Sequence, residues 1–155
     1  MHSEEQYEGI REIHDLLADS RKEYEAASHR VPDERVKGLL HSISKRRYAL
    51  EEDLEQDLRQ HGPPNSTKLG DGTFAGILHR ALLIARDTIN NTSEVNVLVE
   101  MERQESALLG HYNKVFRTQD LDEFTRAALT AQHKEVERNV NMIRDLRKEM
   151  EAVEH

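Results

Sequence analysis

The sequence has 155 residues, of which 34% are charged, 36% hydrophobic and 5% aromatic, and its formal net charge is −8. This length suffices for one domain with a core, and the interspersed, net acidic charge excludes the basic stripe that nucleic acid requires and the basic helical face that binds anionic membranes. The absence of cysteine excludes disulfides, thiol chemistry and cysteine-ligated metals.

Two long amphipathic helices are predicted in the first part of the chain. Apolar residues recur every three or four positions from about residue 3 to 28, and again from about residue 33 to 61, which is the helical period. Pro32 separates the two segments because proline cannot lie inside a helix, and Asp33 is a good N-cap for the second. In that second helix Arg47 occupies a position on the apolar stripe.

Three more helices are predicted after the loop "HGPPNSTKLGDG", the only stretch rich in proline and glycine. A short helix covers about residues 73–89, and two long helices cover about 93–117 and 120–153. No strand pattern or repeat competes with these helices. The sequence therefore predicts an all-α fold and a single domain over residues 1–155.

The lengths of the connections predict the topology. The first and second long helices share a short turn, as do the third and fourth, so each pair forms an antiparallel hairpin. The short helix between the pairs spans roughly 25 Å at ~1.5 Å per residue, which lets it carry the chain back along the bundle. A single long crossover of this kind is typical of the ferritin-like four-helix bundle and makes the second and third long helices parallel.

The third long helix contains two acidic residues where apolar ones are expected. In "VEMERQESALLGHY" the apolar stripe passes through Glu102 and Glu105. Buried carboxylates require either a metal or a cationic partner. We therefore expect the bundle to hold either a metal ion or a cationic side chain next to these glutamates.

The hairpins predict which residues face these glutamates. Folding the first hairpin about residue 30 places His14 opposite Arg47, and folding the second about residue 118 places residues 132 and 133 opposite Glu105. With the second and third helices parallel, all these positions fall near one level of the bundle. The predicted polar layer consists of His14, Arg47, Glu102, Glu105 and Gln132 or His133.

The ligand pattern of a di-iron bundle is incomplete in this sequence. That pattern needs Glu-x-x-His on two helices, and the chain contains no Glu-x-x-His. Arg47 stands where a ligand belongs, and arginine is always charged and never binds a metal. We therefore interpret Glu102 and Glu105 as ion-pair partners of Arg47, with no cofactor.

Two alternatives to this interpretation remain open. A register shifted by one residue would turn Met101 and Leu108 to the core and leave both glutamates solvated at its edge. A degenerate site would bind iron, manganese or zinc in the core. Its ligands would be Glu102, Glu105, His14 and His133.

Three more residues are expected to belong to the interior. Tyr24 and Tyr112 lie on apolar stripes, and their hydroxyls are expected to be hydrogen-bonded inside the bundle. His79, in "ILHRALL", is flanked by apolar residues in the middle of the crossover helix. A hydrogen-bonded structural histidine is the favoured interpretation there, with a ligand as the alternative.

Several short motifs along the chain resemble those of one family. In chain order they are "EYEAAS", "RYALEEDL", "GILHR" and "ERQESALLGHY". In this order and spacing the chain resembles an uncharacterised bacterial family of four-helix-bundle proteins, a domain of unknown function in the ferritin-like superfamily. Two departures stand out, since Gln104 replaces a glycine and the last helix lacks a histidine near Val140.

The resemblance implies a fold rather than a reaction, because fold does not determine function. The missing histidine argues further against a metal or catalytic role. We expect a non-catalytic ferritin-like bundle with a buried Arg–Glu network. A metal-binding oxidase or storage protein and a module that binds a small ligand are the alternatives.

The surroundings of the protein are also predicted. The first residues, "MHSEEQYEGI", lack the features of a secretory signal, and no apolar run is long enough to span a membrane. A cytoplasmic protein without nucleic-acid or membrane partners is therefore expected. A homo-oligomer remains open.

Overall fold

The computed structural model describes residues 4–61, 93–118 and 120–154. Within these ranges it contains four α-helices and no strand, which confirms the predicted all-α class. The helices are α1 (Glu4–Arg30), α2 (Glu34–His61), α3 (Glu94–Thr118) and α4 (Glu123–Glu154). The predicted crossover helix at 73–89 lies outside the described residues.

Short polar side chains cap the beginnings of three helices. The Asp33 carboxylate accepts hydrogen bonds from the backbone N–H groups of Arg35 and Val36, at 2.9 and 3.1 Å. Asp122 accepts one from the Thr125 N–H at 2.7 Å, and the Ser93 hydroxyl one from the Asn96 N–H at 3.4 Å. These side chains satisfy N–H groups that have no partner inside the helix, so they fix where α2, α3 and α4 begin.

Contacts at the helix ends define the directions of the helices. The Asp33 N–H donates to Glu94 at 3.2 Å, so α2 and α3 begin at the same end of the bundle. Arg35 pairs with Glu149 at 2.9 Å, which places the last part of α4 at that end too. Helices α2 and α3 are therefore parallel, and α2 ends at the opposite end of the bundle from the start of α3. The α2–α4 interface is the least extensive of the four between neighbouring helices.

The apolar core is divided into two clusters. One includes Ile13 and Leu17 of α1, together with Leu50 of α2 and Leu108 of α3. The other occupies the end of the bundle where α2 and α3 begin; its members include Ala27, Ile43, Met101 and Ile143. Between the clusters, each helix contributes a buried polar side chain: Ser20, Arg47, Glu105 and Asn139. The interior is thus two apolar regions separated by one polar layer.

The outer faces of the helices are rich in charge. Ion pairs join neighbouring helices there, among them Arg46–Glu135 at 2.6 Å and Arg144–Glu102 at 2.8 Å. None of the four described helices is both long enough and apolar enough to cross a bilayer.

Candidate functional site

Arg47 lies at the centre of the polar layer. It projects from the middle of α2 and its side chain has 0% exposure. One terminal nitrogen, Nη2, pairs with the Glu105 carboxylate, and the other, Nη1, donates to the Ser20 hydroxyl at 3.2 Å. The Nε–H is buried without a hydrogen-bond partner among the described residues. The guanidinium is therefore fixed mainly by its two outer nitrogens.

Glu105 joins Arg47 to a tyrosine of α1. Its second oxygen, Oε1, accepts a hydrogen bond from the Tyr24 hydroxyl at 2.9 Å. The Arg47 guanidinium also lies 5.5 Å from the centre of the Tyr24 ring, within range of a cation–π interaction. Tyr24 thus contacts both members of the ion pair, and all three side chains are withdrawn from water.

The charges of the layer shift the titration of its members. Burial would lower the pKa of Arg47, but its interactions with Glu105, Tyr24 and Tyr112, of which the attraction of Glu105 is the largest, together outweigh burial and raise that pKa above its ordinary value. Burial raises the pKa of Tyr24 well above its ordinary value, and the neighbouring Glu105 charge adds to the effect. Arg47 is consequently a permanent cation and Tyr24 a neutral hydrogen-bond donor at physiological pH.

Ser20 completes the contacts of the guanidinium. Its hydroxyl donates to the Leu17 carbonyl at 3.1 Å while it accepts from Arg47. The sequence predicts no site residue at this position. The available signal is a small polar residue on an otherwise apolar stripe of α1, between Leu17 and Tyr24, at the level of Arg47.

Tyr112 and Gln132 form a second buried pair next to this layer. The Tyr112 hydroxyl donates to Gln132 Oε1 at 2.8 Å, and Gln132 Nε2 makes a long, 3.4 Å contact with the Leu50 carbonyl. Burial raises the pKa of Tyr112. Gln132 is therefore the partner of Tyr112. The predicted position of Gln132 opposite Glu105, from a hairpin folded about residue 118, is wrong.

The structure places Glu102 outside the core, so its predicted pairing with Arg47 is wrong. Its two oxygens accept from Arg144 at 2.8 Å and Arg147 at 3.1 Å on α4. The buried face of α3 includes Glu105 and Tyr112 of the predicted apolar stripe. Its other buried positions include Met101, Leu108 and Val115. Met101 and Leu108 therefore face the core and Glu102 lies at its edge, as in the register shifted by one residue. Glu105 nevertheless remains buried, which that alternative did not predict.

The predicted positions of His14 and His133 are also wrong. His14 is buried beside Asp15, with 3.4 Å between Nδ1 and the carboxylate, and His133 contacts Asn113 at 3.0 Å at the edge of the bundle. The first hairpin turns at residues 31–33 rather than at 30, and α4 begins only at residue 123. In each hairpin the turn lies at least two residues beyond its predicted position. The residue opposite a given position on the partner helix therefore changes by at least one helical turn. His79 lies outside the described residues.

Residues 6–118 match the model of a family described as Domain of unknown function (DUF2383). The chain belongs to the DUF2383 family. No curated protein and no solved structure matches it. The matched region contains Tyr24, Arg47 and Glu105, and it ends with α3, so Gln132 and the rest of α4 lie beyond it.

The four residues of the alternative metal site do not meet in this DUF2383 chain. Only Glu105 lies in the polar layer, whereas Glu102, His14 and His133 have the separate partners described above. Within residues 4–61, 93–118 and 120–154, no three His, Asp or Glu side chains form a group that could hold a metal ion. What the layer itself offers is a fixed positive charge, one carboxylate, two hydroxyls and the amide of Asn139.

Glu102 gives the DUF2383 bundle a predictable dependence on pH. Burial would raise its pKa, but hydrogen bonds from Arg144 and Arg147 outweigh this and lower it. Because the folded-state pKa lies below the unfolded one, the ion pairs stabilise the fold above the ordinary value of 4.5. That contribution, at most about 1 kcal/mol near the surface, is lost as the pH falls from there through the lowered pKa.

Urea titrations between about pH 7 and 3.5 test this dependence. We expect Glu102→Gln to flatten the fall in unfolding free energy below the ordinary glutamate pKa. Glu137→Gln, which changes an exposed glutamate of the same bundle, serves as the control and should leave the slope unchanged. Equal slopes for wild type and Glu102→Gln would contradict the assignment.

Proposed function

We propose that this DUF2383 chain is a ferritin-like bundle in which an Arg–Glu ion pair replaces a di-iron centre, and that it acts without catalysis. In di-iron bundles the metals lie in the core, held by inward-facing carboxylates and histidines. Here the groups of the central polar layer are Arg47, Glu105, two hydroxyls and the Asn139 amide. The function left to such a bundle is to present its surface to partners.

The full burial of Arg47 against Glu105 is the observation that carries this proposal. A guanidinium cannot lose its proton and has no lone pair to offer a metal. Its positive charge repels a cation from the centre of the bundle, and it occupies one oxygen of the carboxylate, while Tyr24 occupies the other. A metal ion would have to compete with both partners for the Glu105 carboxylate.

The directions of the helices support the ferritin-like assignment. Helices α2 and α3 are parallel and joined by residues 62–92, so this connection links opposite ends of the bundle. One long crossover between two antiparallel hairpins distinguishes ferritin-like bundles from simple up-and-down bundles. Bacterial origin and a crossover helix at residues 73–89 belong to the same proposal.

The setting of the protein is part of the proposal as well. The net charge of −8 and the mixed charges on the outer faces disfavour nucleic acid. We place the chain in the cytoplasm as a single domain without nucleic-acid or membrane partners. Association into homo-oligomers through the outer faces is its expected mode of assembly.

Elemental analysis tests the proposal against the metal-binding alternative. The protein is purified without chelator and analysed before and after incubation with ferrous iron or Mn²⁺. We expect less than stoichiometric metal in every preparation. Stoichiometric iron or manganese that is lost in Glu105→Gln and retained in Glu135→Gln, an ion-paired control on the outer face, would overturn the proposal. Because Glu105→Gln leaves the buried Arg47 without its carboxylate, circular dichroism of each variant is measured first, so that metal contents are compared only between folded proteins.

A further inference from the structure

A cavity of about 320 Å³ opens between α2 and α4, away from the polar layer. It follows the second half of α2 and the first half of α4, the two neighbouring helices with the least extensive interface. Its volume lies at the lower end of the range of small-molecule sites, roughly 300–1,000 Å³. The cavity is therefore large enough for a compact organic ligand.

The floor of the cavity is apolar. It is formed by three buried leucines, Leu50, Leu54 and Leu129. Ala128 and Ala131 of α4 also line it, and both are exposed. Because alanine has no side chain beyond Cβ, the two alanines leave the cavity open above the buried leucines, so an apolar body can lie over them and bury the alanine methyl groups.

Two buried polar groups are available in the wall. Thr125 is 2% exposed, and its buried hydroxyl has no hydrogen-bond partner among the described residues. The Gln132 amide nitrogen has only the long contact with the Leu50 carbonyl, while its oxygen accepts from Tyr112. A buried polar group without a partner costs free energy, so a ligand that supplies the partner gains affinity.

The charge at the rim favours a cation. Three carboxylates line the cavity, those of Asp53, Asp57 and Glu135, against a single cationic side chain, Arg46. Arg46 is already paired with Glu135 at 2.6 Å. The lining is thus net negative, and it repels anionic ligands.

An exposed aromatic ring adds to this preference. Phe124 is 72% exposed and lines the cavity. The face of a phenylalanine ring attracts an ammonium group. Phe124 and Asp53 together therefore offer an aromatic face and a carboxylate, the two groups that recognise an organic ammonium ion.

We propose that the α2–α4 cavity binds a small primary amine carried on a compact aromatic or branched apolar body. The apolar body lies over the leucine floor, and the ammonium group lies at the rim with Asp53 and Phe124. Rotation of the buried Thr125 side chain would bring its hydroxyl to a polar substituent of the ligand. This site is separate from the Arg47–Glu105 layer and does not depend on whether that layer replaces a metal centre.

Calorimetric titration with 2-phenylethylamine tests the site, with 3-phenylpropionate as an anionic probe of similar shape. We expect saturable binding of the amine at one site per chain, with a Kd below about 1 mM, and no saturation by the carboxylate. Absence of amine binding, or equal binding of the carboxylate, would overturn the proposal.

Substitutions at the exposed surface locate the site without disturbing the core. Ala128→Trp fills the cavity and should weaken amine binding by at least about tenfold, whereas Ala127→Trp, at an exposed neighbour that does not line it, should leave the Kd unchanged. Asp53→Asn should weaken binding about threefold to fivefold. Equal affinity in Ala127→Trp and Ala128→Trp would place the amine elsewhere and overturn the proposal.

Discussion

Replacement of Arg47 by methionine is expected to lower the free energy of unfolding by about 3–5 kcal/mol. Methionine keeps an unbranched stem of similar length, so the apolar packing of the side chain is largely retained. What is lost is the only charged partner that Glu105 has among the described residues. Glu105 is itself 1% exposed and cannot be solvated without opening the bundle. Urea denaturation followed by circular dichroism measures this change.

The adjacent residue provides a matched control. Arg46 also pairs with a glutamate, Glu135, but its side chain is 61% exposed. Arg46→Met should cost less than about 1 kcal/mol, as is usual for ion pairs in contact with water. Similar losses for Arg46→Met and Arg47→Met would contradict the assigned role of Arg47.

Simultaneous removal of both charges is expected to restore most of the stability lost in either single variant. Glu105→Leu alone should cost about as much as Arg47→Met, because it leaves a buried guanidinium without its carboxylate. In the Arg47→Met/Glu105→Leu double variant neither charge of this pair remains, and well-packed apolar replacements of buried ion pairs are often neutral. The expected coupling energy in the double-mutant cycle is therefore about 3 kcal/mol or more.

One hydroxyl remains to be satisfied in that double variant. Tyr24 donates to Glu105, so its hydroxyl loses its acceptor when residue 105 becomes leucine. Addition of Tyr24→Phe should recover about a further 1 kcal/mol. Additive losses in the cycle, with no recovery in the double variant, would show that the two charges do not interact.

The local features of this fold could be predicted from sequence because their signals are local. Pro32 and Asp33 mark the start of α2, and the periodic apolar positions mark each helix face. Arg47 stood out because a charged residue on an apolar stripe needs a partner in the core. Glu105 is likewise a charged residue on an apolar stripe, so the sequence predicts that it pairs with Arg47 in the core.

The errors at Glu102, His14 and Gln132 have two physical causes. The apolar face of α3 is broad enough to include either Met101 or Glu102 beside Glu105, and only packing against α4 decides between them. The facing residues of a hairpin depend on where its turn lies, and a displacement of two residues in the turn moves the facing position by four. Such a displacement exceeds one helical turn.

The α2–α4 cavity could not be predicted in this way at all. It depends on the distance between two helices that are far apart in sequence, and not on a pattern within either. Thr125 and Gln132 look like ordinary members of the α4 stripe in the sequence. Only the three-dimensional arrangement places them with Asp53 and Phe124 around a single cavity.

The side-chain NMR signals of Arg47 test most directly whether a buried ion pair occupies the centre of the bundle. Arg47 is identified by the signals missing in Arg47→Met. With one terminal nitrogen on Glu105 and the other on Ser20, its guanidinium N–H groups should give separate, slowly exchanging resonances at about neutral pH, and Glu105→Gln should shift them. A single averaged and rapidly exchanging guanidinium signal, like those of exposed arginines, would show that Arg47 is not held in the core.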